Sequence, residues 1–264
     1  MNLIYSCVFV SKQYIKLLEN LLISYNLNNK NEDTRYLIIT CKSFENDIIK
    51  ICENIGLNYD VWILDICNNN SNEYNIYEST YSRYFIYNYP KIGEFKKILY
   101  LDCDILIIKN IHKLFTINME NKFYVLEETA DRHCHGSMFS DEEFNQLDKT
   151  TTFTSAIILF NNNNVMLSYL NEIYNFIKDF HKKHSSPLPC YDQPIFNRFC
   201  IDMGIHNNKK LSEDCINMLG KYGQEKIPLI TNYILCHFAT NVGDHENKLL
   251  RMNLCRSFLK HPNA

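Results

Sequence analysis

No apolar run in this 264-residue chain approaches the roughly 18 to 20 residues that cross a bilayer. The first ten residues carry no basic leader, so they read as a strand and not as a signal peptide. The net charge is only −3, which argues against a nucleic-acid partner. No CxxC pair occurs, so a cysteine zinc site is not expected. The 11 cysteines are odd in number and scattered, and Cys7, Cys41 and Cys236 lie inside apolar runs. They read as buried free thiols of a reducing, cytoplasmic compartment. No Pro/Gly-rich linker and no internal repeat divides the chain, and 46% hydrophobic residues suffice for a sizeable core. A single α/β domain over residues 1–264 is therefore expected.

The chain is organised around Ile98-Leu99-Tyr100-Leu101-Asp102-Cys103-Asp104-Ile105-Leu106. Apolar runs enter and leave this stretch, and lysines bound it, as in a strand buried on both faces. Two buried carboxylates are costly unless something positive meets them. In an extended segment residues i and i+2 point the same way, so Asp102 and Asp104 can face one cation with Cys103 turned away. Oxygen ligands suit Mn²⁺ or Mg²⁺, and such an ion keeps positions open for substrate phosphates. The plain alternative is a pair of aspartates ending a strand in an Asx-turn.

Strands are expected at 2–10, 35–40 and 59–64, with helices at 13–25 (Ser11 as N-cap) and 43–56 (Gly56 as C-cap). This alternation argues for a mostly parallel sheet. Ligands collect outside the carboxyl ends of such strands, where the two aspartates lie. Tyr77 to Tyr87 reads as helix and Lys97 to Leu106 as the central strand. Residues 129–149 are polar and without periodicity, a loop of the kind that covers a site; His133, Cys134 and His135 match no standard metal spacing. Phe153 to Asn161 is a buried strand, Asn164 to His181 a helix with Met166, Leu170, Ile173 and Ile177 inward, and Asp192 opens another helix. A basic helix, Lys248 to Lys260, ends the chain.

Several ordered motifs resemble the family 8 glycosyltransferases, the group of glycogenin and the bacterial lipopolysaccharide galactosyltransferases. They are Tyr81-Ser82-Arg83-Tyr84, Tyr100-Leu101-Asp102-Cys103-Asp104, the Phe153–Asn161 strand, Asp192-Gln193-Pro194-Ile195-Phe196-Asn197 and Cys236-His237-Phe238. The resemblance implies a GT-A fold, with a donor-binding half of about 1–125 and an acceptor and lid half of about 126–264. It implies a UDP-sugar donor, Mn²⁺ or Mg²⁺ held by Asp102, Asp104 and His237, and transfer of a hexose with retention to an acceptor glycan or protein. By the same resemblance Cys7, Val8 and Phe9 line the nucleoside, Tyr14 stacks on uracil, and Arg83 faces the phosphates or sugar. Cys103, Thr154 and Ser155 border the donor, and Asp192 and Gln193 are the catalytic candidates beside the sugar. Thr154 and Ala156 replace the family's usual Asn and Gly. After His237 the family's glycine and lysine places hold Thr240 and Gly243, and the nearest lysine is Lys248. Gly243 and Lys248 are the donor-binding candidates of this lid: either Lys248 folds back to the diphosphate, or the lid is built differently. A catalytically silent nucleotide-sugar or glycan-binding protein of the same fold is the alternative, and a homodimer stays open. A nucleotidyltransferase would want a glycine-rich phosphate loop, and Ser6 to Tyr14 contains no glycine.

Overall fold

The computed structural model describes residues 1–29, 33–64, 76–184, 188–218, 230–239 and 245–260. Of the asparagine-rich stretch 67–76, expected as a loop, all but Ile76 lies outside them, as do Thr240 and Gly243. The strands are β1 (Asn2–Val8), β2 (Thr34–Thr40), β3 (Tyr59–Ile63), β4 (Lys97–Leu101), β5 (Ile105–Ile107), β6 (Phe123–Glu127), β7 (Phe153–Asn161), β8 (His206–Asn207), β9 (Cys215–Asn217) and β10 (Leu235–His237). The α-helices are α1 (Lys12–Asn28), α2 (Glu45–Ile55), α3 (Ile76–Tyr81), α4 (His112–Phe115), α5 (Asp141–Gln146), α6 (Asn164–Lys183), α7 (Gln193–Met203) and α8 (His245–Lys260). A seven-stranded sheet runs β3-β2-β1-β4-β7-β6-β8, and a three-stranded sheet runs β5-β10-β9. In the large sheet β1, β2, β3 and β4 are mutually parallel, and β7 is antiparallel to both neighbours. The result is one mixed α/β domain flanked by helices.

Local signals explain the frame. Ser11 caps α1 by accepting from the Gln13 amide at 3.2 Å. Gly56 closes α2 in the left-handed region, φ 71°. Met166, Leu170, Ile173 and Ile177 form the buried stripe of α6, as their spacing predicts. Ile98, Leu99 and Leu101 are fully buried, as a strand covered on both faces requires.

Three expectations need correction. The stretch 97–106 is not one strand. The Asp102 amide still donates to Ala156 O (2.9 Å) beside the large sheet, then the chain turns, and Phe238 donates to Asp104 O (2.9 Å) as the small sheet begins. The two aspartates therefore flank a turn between sheets and do not sit at i and i+2 of an extended segment. The 129–149 stretch is not all loop, because Ser140 and Glu143 form a reciprocal capping box that starts α5. The helix expected over 77–87 tightens at Ser82 into a 3₁₀ segment that runs to Asn88, and this turns Arg83 inward.

Candidate active site

The carboxyl ends of β1 and β4, the start of β7, the turn before α7 and the end of β10 surround a cavity of about 550 Å³, within the range of small-molecule sites. Of the residues expected there, Cys7, Phe9 and Tyr14 line the cavity beside β1 and α1, and Arg83, Asp102, Cys103 and Asp104 its floor. Thr154, Ser155, Asp192 and Gln193 form one wall, and His237 and Lys248 another. Val8 is the exception. It is buried behind the wall, and its carbonyl already accepts from Thr40 Oγ1 at 2.7 Å.

Ligand atoms of Asp102, Asp104 and His237 all lie within 4.8 Å of one another. Asp104 and His237 are almost fully buried and Asp102 is partly exposed. His237 Nδ1 lies 2.6 Å from Asn217 Oδ1, so Nδ1–H donates there and the other nitrogen of the neutral ring keeps its lone pair. That nitrogen, Nε2, lies 3.4 Å from Asp104 Oδ1, an oxygen that is buried and has no hydrogen-bond partner among the described residues. Two acceptors facing each other repel, so something positive belongs between them: a proton on the ring or a divalent cation. The set of two carboxylates and one imidazole fits Mn²⁺ or Mg²⁺. On its other oxygen Asp104 meets Lys248 Nζ at 2.5 Å. Burial pushes the Asp104 carboxyl up, but Lys248 and His237 outweigh it and hold the carboxyl well below its usual range.

Arg83 is buried in the floor of the cavity. Its Nη1 lies 3.3 Å from Asp102 Oδ1 and donates to Ser155 O at 2.8 Å, while Nε donates to Thr80 O at 2.9 Å and lies 3.5 Å from Asp192 Oδ2. The Tyr100 ring stacks under the guanidinium, 4.8 Å from Cζ to centroid, and the Tyr100 hydroxyl donates to Asp102. Arg83 is thus a fixed positive centre between two carboxylates, not a surface ion pair. Asp192 stands at the N-cap position of α7 but makes no side-chain cap bond. Its Oδ2 instead accepts from the Tyr84 hydroxyl at 2.6 Å. Burial pushes the Asp192 carboxyl up, and Arg83 and Tyr84 offset this only in part.

Two features of the wall depart from expectation. Cys134 and Cys190 form a disulfide, 56 residues apart in sequence, so these two are not the free thiols their scatter suggested; the other described cysteines are free. The pair ties the 129–149 segment to the turn that carries Asp192 and Gln193. Glu128, Asp131 and His135 also line the cavity and were not among the expected site residues. The i+3 capping signal at Ser140 was there to be read, but no spacing rule points at His135.

The model for glycosyl transferase family 8 matches residues 4–242. The chain belongs to glycosyl transferase family 8. None of the curated proteins matches it. Among solved structures this family 8 chain resembles the apo form of the bifunctional glycosyltransferase WbbM (TM-score 0.64, 13% identity, 95% of this chain and 49% of that one), so it spans about half of WbbM's length. It resembles mouse xyloside xylosyltransferase 1 in its apo form (0.62, 12% identity, 91% and 98%). It also resembles the galactosyltransferase LgtC in complex with donor and acceptor sugar analogues (0.58, 15% identity, 97% and 95%). At these identities the likeness carries the fold, a GT-A-like arrangement of the central sheet. No described helix is long and apolar enough to cross a membrane.

Proposed function

We propose that this chain is a retaining glycosyltransferase that moves a hexose (glucose, galactose or N-acetylhexosamine) from a UDP-sugar to an acceptor hydroxyl. The observation that carries the proposal is the facing pair of Asp104 Oδ1 and His237 Nε2, 3.4 Å apart beside Asp102 at the cavity floor. In this reading the three residues hold Mn²⁺ or Mg²⁺, which supplies charge neutralisation for the diphosphate leaving group. Cys7, Phe9 and Tyr14 bind the nucleoside in the half of about 1–125. Lys248, the nearest described lysine to the floor, serves the phosphate end from the other half. Arg83, locked by Asp102, Asp192 and Ser155, gives that floor a cation that cannot swing away. Asp192 faces the sugar as a hydroxyl acceptor or as a counter-charge to an oxocarbenium-like transition state. Gln193 has a neutral amide and makes a poor nucleophile. Retention then follows from front-side transfer, with the leaving phosphate taking the acceptor proton. LgtC, which has the same fold, carries a glutamine in its active site, changed to glutamate in one structure, and this supports a site role for Gln193.

The cytoplasmic setting expected from the free thiols is part of the proposal; the Cys134–Cys190 bond stands against a uniformly reducing one. A second reading, a silent sugar-nucleotide binder, draws on Lys248, whose ammonium already occupies one oxygen of Asp104. The test is a donor screen with purified protein, Mn²⁺ and a panel of nucleotide sugars, reading released nucleoside diphosphate. Release of UDP from one donor, lost in Asp102→Ala/Asp104→Ala, supports the transferase. UDP binding with no turnover of any donor, under every acceptor tried, supports the binder.

A further inference from the structure

His135 is 1% exposed, yet it belongs to a polar segment with no apolar periodicity. A histidine buried this far needs partners for both ring nitrogens. The segment is built to turn it inward. Asp131 Oδ1 accepts from the His133 and Cys134 amides at 2.7 and 2.8 Å, an Asx-type turn. A Cβ at Gly136 would meet the Phe144 ring carbons at 2.5 Å, so a larger residue after His135 would have to push that ring aside. The disulfide at the adjoining Cys134 anchors this turn to Cys190, three residues before Gln193.

The ring's hydrogen bonds fix its role. Nδ1 accepts from the Asp131 amide at 3.2 Å, so in the neutral ring the proton sits on Nε2. Nε2 faces Glu128 Oε2 at 3.4 Å. Gln193 Nε2 donates to that same oxygen at 3.2 Å and lies 3.1 Å from His135 Nε2. At its other end Gln193 Oε1 accepts from the Ser155 amide at 3.2 Å. The carboxamide therefore has one acceptable orientation. Rotated by half a turn, its oxygen would face a carboxylate and its NH₂ would face an N–H.

We infer that His135 is a positioning residue. Together with Glu128 it locks the Gln193 carboxamide so that its oxygen, and not its nitrogen, lies on the side of Ser155 and the cavity floor. The inference rests on the transferase reading for its catalytic consequence, but the positioning itself does not. Without His135 the imidazole that faces the Glu128 oxygen at 3.4 Å is gone and a space opens beside it, so the carboxylate and the amide hydrogen-bonded to it can swing together. A displacement of about 1 Å at a reacting centre can cost on the order of a hundredfold in rate.

Two readouts test this in the full-length protein. The first is NMR of ¹⁵N-glutamine-labelled protein, with the Gln193 side-chain amide assigned from its loss in Gln193→Ala. His135→Ala should shift the Gln193 amide signals and speed their exchange with solvent, and His135→Gln, which offers Glu128 a replacement N–H, should restore them at least in part. Unchanged Gln193 signals in His135→Ala would overturn the positioning. The second readout uses the UDP-sugar that the wild type turns over. His135→Ala should lower kcat at least tenfold with KM for the donor within about threefold. In a Gln193→Ala background the same change should cost little more, since the two act as a unit. An unchanged kcat, or an equal loss in the Gln193→Ala background, would refute the catalytic part. If no donor is turned over, the transferase reading fails, while the NMR result still decides whether His135 holds Gln193.

Discussion

Replacing Lys248 by methionine keeps most of the side chain's apolar stem and removes its ammonium. In the wild type that ammonium lies 2.5 Å from Asp104 Oδ2, with the two side chains 12% and 9% exposed. Removing one partner of a buried pair leaves an uncompensated charge and typically costs about 3 kcal/mol or more. Here His237 remains beside the other oxygen, so the lower end of that range applies. For a chain of this size about 1 kcal/mol moves the melting temperature by roughly 2–3 °C, which gives a loss of about 6–9 °C for Lys248→Met without metal. Mn²⁺ should then rescue the variant more than it stabilises the wild type, because it no longer competes with an internal cation for Asp104. The assay is thermal unfolding of both proteins with Mn²⁺ and with chelator. Equal stability of the two proteins in chelator, or an equal Mn²⁺ shift in both, would refute the reasoning.

Other consequences are open to equally direct checks. The Asp60 carboxyl is held down to about 2, chiefly by its hydrogen bond from Arg35, with Lys91 and Tyr89 adding to it. A depressed folded value stabilises above the ordinary carboxylate range and is lost as pH falls through about 2, so Asp60→Asn should cost about 1 kcal/mol at pH 7, after discounting for solvent screening, and progressively less in acid unfolding experiments below pH 4. Tyr84→Phe removes the 2.6 Å donor to buried Asp192 and should cost about 1–3 kcal/mol in urea denaturation, where a change under about 0.5 would argue that Asp192 is not held by it. Burial pushes the Cys7 thiol up to about 12 and raises Cys103 as well, so both should resist iodoacetamide at pH 8 in the native protein, and rapid labelling would contradict the packing of the cavity floor. Peptide mapping without reductant should recover Cys134 linked to Cys190, and two unlinked peptides would remove the tie between the 129–149 segment and the Gln193 turn.

Much of the frame was legible because it rests on local periodicity and caps. The inward stripe of α6, the Ser11 cap and the Gly56 stop are properties of short windows. The acidic pair was legible for a reason that needed revision. Asp102 and Asp104 do converge with His237, but through a turn between two sheets rather than by strand alternation. Asp192 shows how a short window can miss a side chain's partner. Its position before α7 reads as an N-cap, whereas a tyrosine 108 residues away claims the carboxylate. The Cys134–Cys190 bond and the Glu128–His135–Gln193 cluster were not legible, since both depend on pairing distant segments that no spacing rule joins. Cys7, Phe9 and Tyr14 line the cavity with the other motif residues, whereas Val8 is buried with its carbonyl hydrogen-bonded to Thr40.

The central claim is that Asp102, Asp104 and His237 form a divalent-metal site that recruits a uridine diphosphate. Calorimetric titration of UDP into the protein, with Mn²⁺ and with chelator, tests it most directly, with Asp104→Asn as the paired variant. The account predicts UDP binding in Mn²⁺ that weakens at least tenfold in chelator and in Asp104→Asn. UDP affinity that ignores both the metal and Asp104, or no UDP binding under any of these conditions, would contradict it.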